Sequence, residues 1–150
     1  MMTAQDIMTT DVVTIRGSAT IAEAVKLMKE KGLRALIVEP RSDSDPYGIV
    51  SETDIIYKVA AFGHDPKEMK VYEIMTKPCV VVNPHLGVEY VARLFANTRI
   101  RRAPVVGGKL LGIISVSDIL YKSDFIEKPK TYFDLYCEEN PSAPEARMYD

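Results

Sequence analysis

Two short segments of this sequence place hydroxyls and a carboxylate together at the start of a helix. Gly48-Ile49-Val50-Ser51-Glu52-Thr53-Asp54 and Gly112-Ile113-Ile114-Ser115-Val116-Ser117-Asp118 share the pattern Gly-h-h-Ser-x-Ser/Thr-Asp, with h apolar. In each, an apolar strand ends at the serine and a helix follows at once. The side chains therefore lie beside free backbone N–H groups. Those groups and the helix dipole favour a phosphate or a hydroxylated ligand. A carboxylate there can accept from both hydroxyls of a ribose, as an acidic residue does in dinucleotide folds. The same Ser-x-x-Asp spacing is also a plain helix cap. For a single copy capping is the better explanation; two copies at matching places in a duplicated unit bring ligand binding level with it.

A basic cluster supplies counter-charge. Arg99-Ile100-Arg101-Arg102 immediately precedes the apolar strand Ala103-Pro104-Val105-Val106. Forked guanidiniums suit phosphate oxygens. The equivalent place in the first half has only Arg34, followed by Ala35. The spacing thus predicts two unlike pockets, the better phosphate site being lined by Arg101 and Arg102.

These groups need a frame that presents each helix start, and the sequence repeats one with a period of about 65 residues. Asp6-Ile7-Met8-Thr9 recurs as Glu73-Ile74-Met75-Thr76. A β-branched run follows each, Val12-Val13-Thr14-Ile15 and Val80-Val81-Val82. Next come apolar residues at helical spacing, Ile21, Ala24, Val25 and Met28 in one copy and Val88, Val91, Ala92 and Phe95 in the other. Gly32 marks the first helix stop. Short apolar strands follow at Leu36-Ile37-Val38 and Ala103-Pro104-Val105-Val106, then the two motifs. Each half reads strand–helix–strand–strand–helix. Gly107-Gly108 predicts a tight hairpin in the second copy, and residues 40–47 a longer loop in the first. A half this small is poorly stable alone, so the halves are expected to pack with pseudo-twofold symmetry. The expected divisions are a first unit at 1–62, a linker at 63–72, a second unit at 73–126 and a tail at 127–150.

Bulk properties narrow the function. A chain of 150 residues with 47% hydrophobic and 27% charged residues reads as one globular domain that needs no metal or disulfide to fold. The net charge of −2 gives no global pull toward nucleic acid or an anionic membrane. Neither a membrane span nor a secretory signal is read, so the expectation is a cytoplasmic protein. Cys79 and Cys137 form no metal set. His64 and His85 stand in polar turns away from any nucleophile motif, and no phosphate loop or dinucleotide fingerprint occurs. The sequence therefore predicts a binding module rather than an enzyme. A scaffold that binds only proteins, and nucleic-acid binding through Arg99, Arg101 and Arg102, are the other readings. The near-neutral core and the lack of interleaved aromatics disfavour the last.

The doubled Ile-Met-Thr opening, the Arg-Arg-Ala-Pro-Val-Val strand and the doubled closing motif resemble a pair of CBS domains, the tandem called a Bateman module, over residues 6–124. The resemblance implies an α/β fold of two pseudo-symmetric β-α-β-β-α units packed through their sheets. It also implies a regulatory role, with AMP, ADP or ATP as ligand in the cleft between the units and no further cofactor. By position, Thr9, Thr14, Leu33 and Arg34 would flank the adenine. Ser115, Ser117 and Asp118 would hold the ribose, and Arg101 and Arg102 the phosphate. A second pocket would use Thr76, Val81, Ile100 and Arg101 with Ser51, Thr53 and Asp54. The resemblance further implies a homo-oligomer, a disk-like dimer among the forms open to it.

Residues 131–150 carry five acids and one base, for a net of −4, leaving +2 on the rest. Four aromatics there could dock a partner or another subunit. Asp134-Leu135-Tyr136-Cys137, Asn140-Pro141 and Glu145-Ala146-Arg147-Met148-Tyr149-Asp150 are similar to the C-terminal end of the small Calvin-cycle linker family. Its members bridge glyceraldehyde-3-phosphate dehydrogenase and phosphoribulokinase under redox control. That family's end closes a loop with two cysteines. Cys137 matches the first, but Ala146 stands at the second and the upstream cysteine pair is missing. The resemblance therefore implies partner docking through Arg147-Met148-Tyr149-Asp150 more than a redox switch or kinase binding.

Overall fold

Local start and stop signals set the helices of the computed structural model, which describes residues 2–127. The first turn, α1 (Ala4–Ile7), is followed by β1 (Thr14–Ile15), α2 (Ile21–Lys31), β2 (Ala35–Val38), β3 (Gly48–Ser51) and α3 (Glu52–Lys58). The second unit holds α4 (Val88–Thr98), β4 (Arg102–Gly107), β5 (Lys109–Ser115) and α5 (Val116–Lys122). Thr20 caps α2 by accepting the Glu23 N–H, and Gly32 ends it in the left-handed region at φ 66°. Arg99 ends α4 in the same way at φ 57°. A side chain in that region costs about 1–2 kcal/mol that glycine does not.

In the first sheet β2 lies between a parallel β1 and an antiparallel β3. In the second, β4 pairs antiparallel with β5 through the expected tight turn, where Gly108 takes φ 76°. The run Val80-Val81-Val82 does not form the expected strand. Only Val82 bridges, in parallel, to Val105. The reason is a missing donor. Ile37 gives its N–H to Val13 in the first unit, and the corresponding residue in the second is Pro104, which has none.

Each unit's core is completed by the other unit's opening segment. Ala4 and Ile7 are buried with Val82, Val91, Val105 and Ile114 of the second unit. Val71 and Ile74 are buried with Ile21, Leu36 and Val50 of the first. Main-chain pairs fix the exchange. Thr9 and Ile113 exchange N–H···O bonds of 2.8 and 2.9 Å, and Ile49 and Thr76 exchange bonds of 3.0 and 2.9 Å. The opening motifs are thus docked on the unit opposite to the one they precede in sequence. Of the expected helical stripes, Val25 and Ala92 face outward instead of into the cores. They border apolar grooves of about 470 Å³ beside α2 and α3 and about 340 Å³ beside α4 and α5.

The longer loop of the first unit is tied down by charge. The Asp45 carboxylate accepts from the Lys77 ammonium and from the Arg41 backbone N–H. These two interactions, Lys77 first, hold the Asp45 pKa at about 2, below its ordinary value of 3.8. A lowered folded-state pKa contributes stability that is complete above the unfolded value and is lost as pH falls toward the folded one. Wild-type stability should therefore decline between about pH 4 and pH 2 with a contribution from Asp45. The Lys77→Met variant, followed by urea unfolding at stepped pH, should show a shallower decline over that window. An unchanged slope would mean that the pair is not formed.

Candidate functional site

The register of the two sheets decides where the motif side chains meet. In the second unit Arg102 lies opposite Ser115, so a guanidinium stands beside the motif serine. In the first unit Ala35 lies opposite Ser51, and no base stands there. A cavity of about 130 Å³ between the units gathers Thr9, Leu33, Arg34, Arg102, Ser115 and Asp118, six of the nine residues expected for the better pocket. The other three are not in its wall. Thr14 Oγ1 donates to Glu39 at 2.8 Å. Ser117 is exposed. Arg101 contributes its main chain, its carbonyl accepting the Val116 N–H at 2.8 Å.

The sequence reading missed Asp11, Val12, Val13, Ala35, Ile37 and Ile113 in the same wall. The runs of β-branched strand residues could have flagged Ile37, which is buried, and Ile113, which is half-buried. Asp11 gave no signal, since a single acid between the opening motif and a strand is ordinary surface chemistry.

Asp118 is the buried polar side chain among the described residues, 6% exposed. One of its oxygens accepts the Ser115 N–H at 2.9 Å, while Ser115 Oγ accepts the Asp118 N–H at 3.2 Å. The other meets Lys122 Nζ at 2.8 Å, and the same ammonium reaches Thr9 Oγ1 at 3.4 Å. A carboxylate has about four lone-pair sites, so capacity for ribose hydroxyls remains. The capping role and the ligand role are compatible in one side chain.

The first unit repeats this layout. Asp54 accepts from Ser51 N at 2.9 Å and meets Lys58 at 3.4 Å, and Lys58 donates to the Ile74 carbonyl at 2.9 Å. There the hydroxyls of Ser51 and Thr53 bond each other at 2.8 Å. Thr76 and Val81 are exposed, and Ile100 lines the apolar groove beside α4 and α5.

The guanidiniums supply the positive field. Burial, then Arg101, then Arg34 push the Arg102 pKa down, and Glu52 pulls the other way. Arg102 therefore senses Arg101 beside it in sequence and Arg34 from the other unit. None of them makes a side-chain hydrogen bond or ion pair with a described residue. The α5 helix has only seven residues, so its dipole is a minor term beside these charges. Cys79 is not part of this chemistry: burial pushes its thiol up to about 11, which leaves it largely protonated near neutral pH. No cluster of metal-ligating residues occurs among the described residues, and none of their helices is long and apolar enough to cross a membrane.

A duplicated α-β-β-α unit, preceded by a short strand in the first copy and by a single bridge at Val82 in the second, with this cleft defines a class, and comparison with known proteins agrees. The CBS domain model matches residues 4–61 and 71–124, so the chain belongs to the CBS-domain family as a tandem pair. The CP12 domain model matches residues 121–150, most of which lie outside the described residues, so the pair carries a CP12 domain at its C-terminal end. A solved hexameric CBS-CP12 protein from bloom-forming cyanobacteria is 74% identical, with a TM-score of 0.84, covering 98% of this chain and 86% of that one. CBSX2, solved in complex with AMP, is 28% identical at a TM-score of 0.66, covering 84% of this chain and 98% of that one. An uncharacterised protein of Methanopyrus kandleri is 32% identical over 118 residues, 77% of this chain; the match spans only 60% of that protein.

Proposed function

We propose that this CBS pair is a non-enzymatic regulatory module that takes an adenine nucleotide in the cleft between its units. The observation that carries this reading is the buried Asp118 carboxylate, beside Ser115 and facing Arg34 and Arg102, two cations without an ion-pair partner among the described residues. The carboxylate would accept from the ribose hydroxyls, Arg102 would meet the phosphate, and Arg34 would flank the adenine. The complex of the relative CBSX2 with AMP supports the ligand class. The cleft's volume of about 130 Å³ lies below the range of about 300–1,000 Å³ typical of small-molecule sites. Binding a nucleotide there would therefore widen the cleft, whose wall is drawn from both units.

The test is thermal unfolding with AMP, ADP and ATP. At about 100 times its dissociation constant a ligand stabilises by about 2.7 kcal/mol, a shift of several degrees. AMP should raise the wild-type midpoint, Asp118→Ala should remove most of that rise, and Asp54→Ala should remove less. Equal responses from all three proteins would exclude the ribose role.

The same reading extends to partners. The two apolar grooves beside the helices, with Ile56, Tyr57 and Val116 exposed along them, would be covered by further copies of the chain, giving a homo-oligomer. The hexameric CBS-CP12 relative supports this. The CP12 segment would dock a metabolic enzyme. Glyceraldehyde-3-phosphate dehydrogenase is a better candidate than phosphoribulokinase, because the Arg147-Met148-Tyr149-Asp150 end is present and the upstream cysteine pair is not. A pull-down should recover that dehydrogenase weakly, and deletion of residues 131–150 should abolish recovery. Undiminished recovery after the deletion would discard the docking role of the tail.

A further inference from the structure

A cavity larger than the cleft lies elsewhere in the molecule. It measures about 710 Å³, within the usual range for small-molecule sites, and shares no lining residue with the cleft. Its wall joins three separate parts of the chain. Arg16 follows β1, Arg41 lies in the β2–β3 loop, and Lys77 follows the second opening segment. Tyr72 and Met75 provide an apolar side, and Tyr72 stays 59% exposed although its N–H is fixed to the Gly17 carbonyl at 3.0 Å.

We propose that this cavity binds a small anion carried on a flat ring, as a site independent of the nucleotide cleft. The charge argument is local. Lys77 and Arg41 share one acid, Asp45, so that group retains a surplus positive charge. Arg16 is held loosely, 3.9 Å from Glu39, and the Glu39 carboxylate already accepts from Thr14 at 2.8 Å. Its guanidinium is free to turn to a ligand oxygen, because an exposed ion pair of that length contributes little. The apolar side suits a ring face, and the cationic rim suits its phosphate or carboxylate.

The second unit does not repeat this arrangement. Positions Arg16, Tyr72 and Lys77 correspond there to Asn83, Gln5 and Thr10, and the loop bearing Arg41 is replaced by the Gly107-Gly108 turn. The cations and the aromatic side chain are therefore not a by-product of the repeated fold.

Met75 offers a reporter inside the wall. The full-length chain, labelled with carbon-13 at its methionine methyls, is titrated with α-naphthyl phosphate, inorganic phosphate or α-naphthol. The Met75 signal should shift saturably with α-naphthyl phosphate, and the ring or the anion alone should bind at least about tenfold more weakly. Arg16→Glu and Tyr72→Ser, both at exposed positions, should each weaken binding by about tenfold. Asp118→Ala should leave it unchanged. An unmoved Met75 signal would overturn the proposal, as would α-naphthol binding as tightly as its phosphate, or wild-type affinity in both cavity variants. A response lost in Asp118→Ala would assign the effect to the cleft and also overturn it.

Discussion

Ile7→Ala is expected to lower the unfolding free energy by about 2–5 kcal/mol, the range for truncating a buried isoleucine. Ile7 is 2% exposed and packs among Val82, Val91, Val105 and Ile114. The damage should appear in the second unit, although Ile7 precedes the first in sequence. Hydrogen exchange distinguishes the two places. Amides of Val105 and Ile114 should lose protection more than those of Leu36 and Val50. Ile74→Ala, also 2% exposed, is the mirror experiment, and its loss should fall on Leu36 and Val50. If Ile7→Ala loosened the first unit instead, the exchange of opening segments would be wrong. The magnitude depends on whether neighbouring side chains collapse into the space. A four-residue turn held at one end by Thr3 and Asp6 has little freedom to do so.

This exchange marks the limit of what the sequence shows. The doubled opening motif was legible as a repeat, and so were the long helix of each unit, the Gly32 stop, both β–β connections and the two capping motifs; the α4 stop at Arg99, a non-glycine with positive φ, was not. Those features are local: a hydroxyl at a helix start, a glycine with positive φ, or a run of β-branched residues acts within a few positions. Which unit receives Ile7 and which receives Ile74 depends on long-range packing between segments of identical local pattern. Nothing in Asp6-Ile7-Met8-Thr9 distinguishes the two docking choices. The absent strand at Val80-Val81-Val82 was legible in principle, because Pro104 removes the donor that Ile37 supplies in the first unit. At the site, position in the repeat identified Asp118, Ser115, Arg102 and Arg34, since each sits at a fixed point of its unit. Position did not reveal that Lys122 already holds Asp118, or that Thr14 is engaged by Glu39. Side-chain partners of that kind depend on rotamers and on groups from distant segments.

The asymmetry of the two pockets has a related physical origin. Both units carry the Asp–Lys pair, and in both the lysine reaches across to the opening segment of the other unit. What differs is the residue opposite the motif serine, Ala35 in one sheet and Arg102 in the other. One residue in the register thus decides which pocket has charge for a phosphate. The half-buried position of Arg102 strengthens that choice. A guanidinium partly removed from water, with Arg101 and Arg34 nearby, lowers its free energy by acquiring an anionic partner. A nucleotide phosphate would supply one.

Gly112→Ala should be the more damaging of two matched substitutions, costing about 2–4 kcal/mol through overpacking and lost main-chain bonds. A Cβ on Gly112 would lie 2.7 Å from the Thr9 carbonyl oxygen and 2.7 Å from Met8 Sδ. The methionine can turn aside, but the carbonyl cannot, because it accepts the Ile113 N–H at 2.9 Å. The opening segment must therefore lift from β5, loosening both hydrogen bonds of the Thr9–Ile113 pair. At the corresponding position, Gly48→Ala would bring its Cβ to 3.3 Å from the Thr76 carbonyl oxygen, which a shift of a few tenths of an ångström accommodates. Its cost should stay near about 1 kcal/mol. Urea unfolding of the two variants side by side measures the difference. Adding Met8→Ala to Gly112→Ala should recover only part of the loss, since the carbonyl clash remains. Thr9 also forms part of the cleft wall, so Gly112→Ala should reduce the thermal response to AMP as well, while Gly48→Ala preserves it. Equal stability of the two glycine variants would show that the opening segment does not approach β5 as closely as these distances require. A cleft closed by that segment could not then be the nucleotide site.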